Sequence, residues 1–144
     1  MKISTKGRYA LRFMLDVASH QDEGVVRVKD AAQRQEISLK YLEQVVSLLV
    51  KTGMVRSLKG PNGGYRLTRE AKAYTVGDIL EATEGCLAPV ECLMDSPNRC
   101  SRSQSCVTLR FWKELYEGVD RILNKYTLQD LVNWQKETPD HYVI

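Results

Sequence analysis

The sequence predicts a mainly α fold with one small β hairpin, on three observations. Apolar residues recur at helical spacing along most of the chain, including residues 38–51 and 107–125. A glycine-rich stretch, Lys59-Gly60-Pro61-Asn62-Gly63-Gly64, separates two short strand-like runs. The 144 residues contain no internal repeat or low-complexity tract, and suffice for one sizeable core plus an appended helical arm.

The first helical pattern spans about residues 5–20, with Ala10, Met14, Val17 and Ala18 on one face. Residues 21–24 turn the chain, and Val25, Val26, Arg27 and Val28 read as a short strand. A brief helix follows near 29–35, where Ala31 and Ala32 let another helix approach closely. After a turn at Glu36 and Ile37, Ser38 offers a capping hydroxyl for a helix reaching about Lys51. Leu42, Val45, Val46 and Leu49 form its dry stripe, and Lys40, Gln44, Ser47 and Lys51 its polar one. Gly53 suits the position just past its end.

Residues 54–58 and 65–68 are the arms of the predicted hairpin. A helix resumes from Thr75, with Val76, Ile79 and Leu80, and stops near Gly85. Residues 86–106 hold Pro89 and Pro97 among Asp, Ser and Asn, and read as a loop. A long amphipathic helix runs over about 107–125. Val107, Phe111, Leu115, Val119, Ile122 and Tyr126 make its stripe, widened by Trp112 and Leu123. Such a stripe has more to cover than one small domain offers. It is expected to meet the chain's own first helix on one side and a second copy of the chain on the other. Thr127 caps a final helix with Leu128, Leu131, Val132 and Trp134, and residues after Thr138 read as a tail.

Two helices, a tight turn, a capped third helix and a glycine-rich hairpin are the parts of a winged helix-turn-helix. Residues 1–75 form that domain on this reading, and residues 76–144 a cysteine-loop and dimerisation region. A helix fits the major groove of B-DNA, and its N-terminal residues point at base edges. Ser38, Lys40, Tyr41, Glu43 and Gln44 occupy those positions. Gln pairs bidentately with adenine, and Glu accepts from cytosine N4. The hairpin tip lacks bulky side chains, so Gly60, Gly63 and Gly64 let its backbone approach phosphates or enter the minor groove. Lys59 and Asn62 supply donors there, flanked by Arg56 and Arg66.

The charge distribution agrees. Residues 1–75 carry 14 Lys/Arg against 7 Asp/Glu, whereas residues 76–144 carry 7 against 11, so the overall +3 conceals a basic half. A basic half can follow a phosphate backbone, and the acidic half is poorly suited to it. A hydrophobic content of 43% and a charged content of 27% are ordinary for a soluble globular protein. No apolar run approaches the roughly 20 residues of a membrane span. Lys2, Lys6, Arg8 and Arg12 break up any signal-peptide pattern, and a cytoplasmic protein is expected. An enzyme is not expected: there is no acid pair, no Walker-type phosphate loop and no C-x-x-C pair.

Three stretches, residues 1–10, 37–44 (Ile-Ser-Leu-Lys-Tyr-Leu-Glu-Gln) and 59–65 (Lys-Gly-Pro-Asn-Gly-Gly-Tyr), resemble the Rrf-two family of winged-helix transcriptional regulators. The likeness extends over nearly the whole chain. It implies a homodimer held by the 107–125 helix, through Phe111, Trp112, Leu115, Val119 and Ile122, on a palindromic operator in double-stranded DNA. It also implies base and backbone contacts from Ser38, Lys40, Tyr41, Glu43 and Gln44, with Lys59 and the 60–64 tip in the minor groove.

All four cysteines, Cys86, Cys92, Cys100 and Cys106, lie in the predicted loop. In a reducing compartment such a cluster points to metal or redox chemistry before disulfides. Thiolates on a flexible loop can converge on soft metal, an iron–sulfur cluster or zinc, or can stay free and redox-active. Cluster-binding members of the resembled family carry three cysteines in this loop, and Cys92, Cys100 and Cys106 match them, with a longer first gap. The family's fourth ligand is a His three residues after the last cysteine, or an Asp near the partner's N-terminus. Leu109 and Arg8 stand at those places here. Cys86 is the obvious substitute and Glu91 a weaker one, while His20 and His141 lie far off in sequence. His20 is most simply a helix C-terminal residue favoured by the dipole. The alternative is a cluster-free regulator of cysteine and sulfur metabolism, answering to thiol oxidation or to a partner enzyme.

Overall fold

The computed structural model describes residues 2–138. The predicted tail and His141 lie outside the described residues. Among the described residues six α-helices and one antiparallel hairpin follow in the order α1 (Thr5–His20), α2 (Val28–Gln35), α3 (Leu39–Lys51), β1 (Val55–Leu58), β2 (Gly64–Leu67), α4 (Val76–Glu84), α5 (Thr108–Lys125) and α6 (Leu128–Glu137). This is the predicted winged helix-turn-helix with a long helix appended. Among the described residues no helix is long and apolar enough to cross a membrane.

Helix α1 is the hub. Its Phe13, Met14 and Val17 are fully buried against Leu42, Val45 and Leu49 of α3, Ile79 of α4 and Leu128 of α6. These are the dry stripes read from periodicity, and they set where the polar faces point. Asp16 is buried on the same helix and is matched by charge: Arg34 of α2 donates to it from Nε at 2.9 Å and from Nη2 at 2.7 Å. Gln35 adds a third hydrogen bond at 3.2 Å. A buried carboxylate needs such partners, and this one fixes α2 on α1, hence the angle at which α3 leaves the turn. The pairing with Asp16 also raises the Arg34 guanidinium above its ordinary pKa.

The helix ends follow the capping signals. Ser38 accepts the Tyr41 N–H, and Thr52 closes α3 with Gly53 beyond it at φ 78°. Thr75 and Thr127 each form a capping box, with Asp78 and Asp130. These two caps also pair with one another through an isolated β-bridge, and the Leu128 N–H donates to the Tyr74 carbonyl at 2.9 Å. The start of α6 is thereby pinned to the start of α4.

Two expectations need correction. Residues 25–28 make no strand: Val26 alone pairs with Tyr65, and Val28 already opens α2. The cysteine segment is the expected loop, with a single 3-10 turn at Glu91–Leu93. The long helix α5 lies on α4, not on α1, with Leu123 against Gly77. Leu109 is its one fully buried residue.

Candidate nucleic-acid interface and cysteine loop

The polar side of α3 is open. Ser38, Lys40, Glu43 and Gln44 are exposed, as are Ser47 and Lys51 one and two turns on. Among the described residues no ion pair engages Lys40, Glu43 or Lys51. Tyr41 differs: it is half-buried and meets Tyr9 of α1 edge-on, with ring centres 5.5 Å apart. It braces the first turn of α3 while keeping an edge towards solvent.

The hairpin pairs in the register Val55↔Leu67, Arg56↔Arg66, Ser57↔Tyr65 and Leu58↔Gly64. Lys59, Gly60 and Asn62 form the exposed tip, closed by the Gly63 N–H on the Gly60 carbonyl at 3.0 Å. Gly64 allows a close approach to the core: a Cβ there would stand 2.7 Å from the Val26 carbonyl oxygen. That approach lets Tyr65 and Val26 exchange backbone hydrogen bonds of 3.0 and 2.7 Å, which fixes the hairpin's tilt.

Sequence reasoning missed Arg27 as a wing residue. Its guanidinium donates to the Pro61 carbonyl at 2.7 Å, tying the wing tip to the start of α2. It also missed Tyr74, whose fully buried hydroxyl donates to the Met54 carbonyl at 2.8 Å. The same oxygen accepts the Thr68 and Arg69 N–H groups at 2.8 and 3.1 Å, so it clamps the wing's two ends. A lone tyrosine between a turn and a helix carries no periodic signal that would have revealed it.

The four thiols fall into three surroundings. Cys92 and Cys100 line one cavity of about 350 Å³ with Glu91, Asp95 and Arg99. Cys106 lines another, of about 650 Å³, with Arg110, Lys113 and Arg121. Cys86 lies against the Tyr116 hydroxyl of α5, and burial together with this thiol pushes that phenol's pKa up. Cys106 sits at the N-terminus of α5, and its thiol is drawn below the ordinary pKa. The Thr108 hydroxyl, 3.3 Å away, is the main cause; the Leu109 N–H and the charge of Arg102 add to it. Among the described residues no three His, Cys, Asp or Glu side chains stand together as a metal-binding group. The donor chemistry suits an iron–sulfur cluster, but this arrangement does not gather it. Leu109 faces the core and Arg8 is exposed, bonded to Thr5, so neither offers a replacement.

The Rrf2 family model, described as an iron-dependent transcriptional regulator, matches residues 3–134. The chain is similar to the protein Rrf2 of Nitratidesulfovibrio vulgaris strain Hildenborough. The two are 44% identical over 132 residues, which is 92% of this chain and 87% of that protein. Among solved structures it is similar to CymR (YrzC), the global cysteine regulator of B. subtilis, with 39% identity and a TM-score of 0.78; the match covers 93% of this chain and 98% of that one. It is also similar to T. potens IscR, with 34% identity and a TM-score of 0.77; here the match covers 99% and 95%.

Proposed function

Since the chain belongs to the Rrf2 family of transcriptional regulators, we propose that it acts as a cytoplasmic homodimer that reads a palindromic operator. In this reading the first turn of α3 enters the major groove, and the wing tip with Lys59 enters the minor groove. The observation that carries it is the open face of α3, rich in donors, beside a wing that carries Arg56, Lys59 and Arg66; among the described residues no ion pair engages Lys40, Lys51 or these three wing cations. A second copy of the chain covers α5. Its Phe111 and Ile122 are 59% and 60% exposed, and Leu115 joins them, a face too apolar for a surface helix. Two-fold pairing there sets the spacing of the two reading helices, which a palindrome requires.

The loop between α4 and α5 is the sensing element. Cys92, Cys100 and Cys106 would hold an iron–sulfur cluster, with Cys86 as the candidate fourth ligand. When bound, such a group supplies iron–thiolate chemistry that responds to oxidants and nitric oxide. Cys86 and Cys106 stand apart from Cys92 and Cys100, so bringing all of them together requires the loop to close, and closure pulls on both α4 and the dimer helix. A second reading is favoured by the same separation and by the likeness to a cysteine regulator. In it the thiols themselves, with the Cys106 pKa drawn below its ordinary value, respond to oxidation, or a partner enzyme docks, and no cluster is held.

Protein purified without oxygen distinguishes the two. Visible charge-transfer absorbance that is lost in Cys92→Ala, Cys100→Ala or Cys106→Ala supports the cluster. A colourless protein after anaerobic reconstitution leaves the thiol reading. Loss of the colour in Cys86→Ala assigns the fourth ligand. A gel shift on duplex DNA enriched from a random library tests the binding itself.

A further inference from the structure

Glu84 ends α4, and Gly85 and Cys86, where the cysteine loop begins, follow directly. Its carboxylate reaches the start of α1. One oxygen, Oε1, accepts the Ser4 N–H at 3.0 Å, the Gly7 N–H at 3.1 Å and the Ser4 hydroxyl. The first amides of a helix have no partner within it, and a negative charge is favoured beside them. The contact requires glycine at position 7: a Cβ there would stand 3.2 Å from Cγ of Glu84 and 3.1 Å from its carboxyl carbon. Gly7 is buried beneath it.

Two residues further along α1, Tyr9 meets Tyr41 in the first turn of α3, the ring planes crossing at 84°. A continuous set of contacts therefore runs from the head of the cysteine loop, through Glu84, Ser4 and Gly7, to Tyr9, Tyr41 and the reading face. Gly85 and Cys86 themselves are exposed.

We propose that Glu84 is a positioning residue that couples the cysteine loop to the recognition helix. It locks α1, and with it the Tyr9–Tyr41 contact, to the first residue of the loop. The proposal rests on the DNA-reading function above. Coupling between two sites is reciprocal. If the loop biases α3, then DNA held on α3 must bias the loop, and the Cys86 thiol reports it.

The test uses the reduced, metal-free full-length chain and the duplex enriched from a random library. Cys86 is labelled with pulses of N-ethylmaleimide, with and without DNA, and read by peptide mass spectrometry. DNA should slow the labelling of Cys86 by about five-fold or more, the lower end of ordinary coupling. Glu84→Ala should bring that ratio to about one and weaken DNA binding by a similar factor. Glu84→Gln, whose amide oxygen still accepts from Ser4 and Gly7, should keep most of it. Gly7→Ala displaces Glu84 from the other side and should reproduce the alanine variant, even where Glu84→Ala folds poorly. A Glu84→Ala protein of lower melting temperature that keeps the full DNA-dependent ratio would overturn the proposal, because the role would be structural alone. Wild-type protein that binds DNA with unchanged Cys86 labelling overturns the coupling by itself. Wild-type protein that binds no duplex overturns the DNA-reading function beneath it.

Discussion

Arg56 and Arg66 stand directly opposite each other across the wing, two cations on paired strands that no ion pair engages among the described residues. Like charges in this relationship destabilise a hairpin by roughly a few tenths of a kcal/mol, and a polyanion lying along the wing relieves the strain. The arrangement predicts effects of opposite sign. Arg66→Gln should leave the melting temperature unchanged or slightly higher, while weakening DNA binding. The slope of log affinity against log salt should shrink by about one. A parallel loss of stability and affinity would show that the pair serves packing instead.

The Asp16–Arg34 pair fixes α2 on α1. Removing Arg34 strands a carboxylate that is only 2% exposed. Arg34→Ala should cost about 2 kcal/mol in urea denaturation, short of the roughly 3–5 kcal/mol of a fully buried pair because Arg34 itself reaches solvent. Asp16→Asn, which leaves no charge to strand, should cost less.

Tyr74→Phe keeps the ring and deletes one hydroxyl. The buried Met54 carbonyl and the Thr68 and Arg69 amides lose that partner together. A destabilisation of about 1–3 kcal/mol is expected, accompanied by faster amide exchange at the base of the wing. Unchanged exchange at Thr68 would show that the clamp is redundant.

Sedimentation tests the dimer face. Ile122→Glu places a charge on the exposed apolar stripe of α5 and should produce a monomer that remains folded, since α5 holds to its own chain through Leu109 and α4. The monomer should retain affinity for an isolated half-site only. A variant that still sediments as a dimer would place the interface elsewhere.

The lowered pKa of Cys106 means that its thiolate is populated at a lower pH than in an ordinary cysteine. In metal-free protein its alkylation rate should accordingly rise at lower pH than that of a free thiol. Thr108→Val removes the main cause, so it should move the midpoint upward. An unmoved midpoint would shift the cause to the helix terminus and Arg102.

Much of the winged half was legible because local chemistry and tertiary packing agree there. The stripe of Leu42, Val45, Val46 and Leu49 is the buried side of α3, and Ser38 caps the helix it precedes. The strand expected at 25–28 failed because β-branched residues favour strands only where a partner exists, and Tyr65 offers one residue's worth of pairing to Val26 before α2 begins. Contacts that join distant segments left no mark in the sequence. Glu84 and Gly7 lie 77 positions apart, and Arg27 meets Pro61 across 34. The cysteine spacing showed that thiols share a loop, but not that Cys86 would turn to Tyr116 while Cys106 seats on a helix end. Irregular backbone carries no periodicity from which side-chain direction can be read.

The reading of DNA by α3 and the wing is tested most directly by measuring affinity for the selected duplex and for single-base variants of it, with Gln44→Ala and Lys59→Ala side by side. Gln44→Ala should cost about 1–3 kcal/mol on the selected duplex and relax discrimination at one base position. Lys59→Ala should weaken binding evenly across all the duplexes. If both variants bind every duplex as the wild type does, the reading surface is not on α3 and the wing.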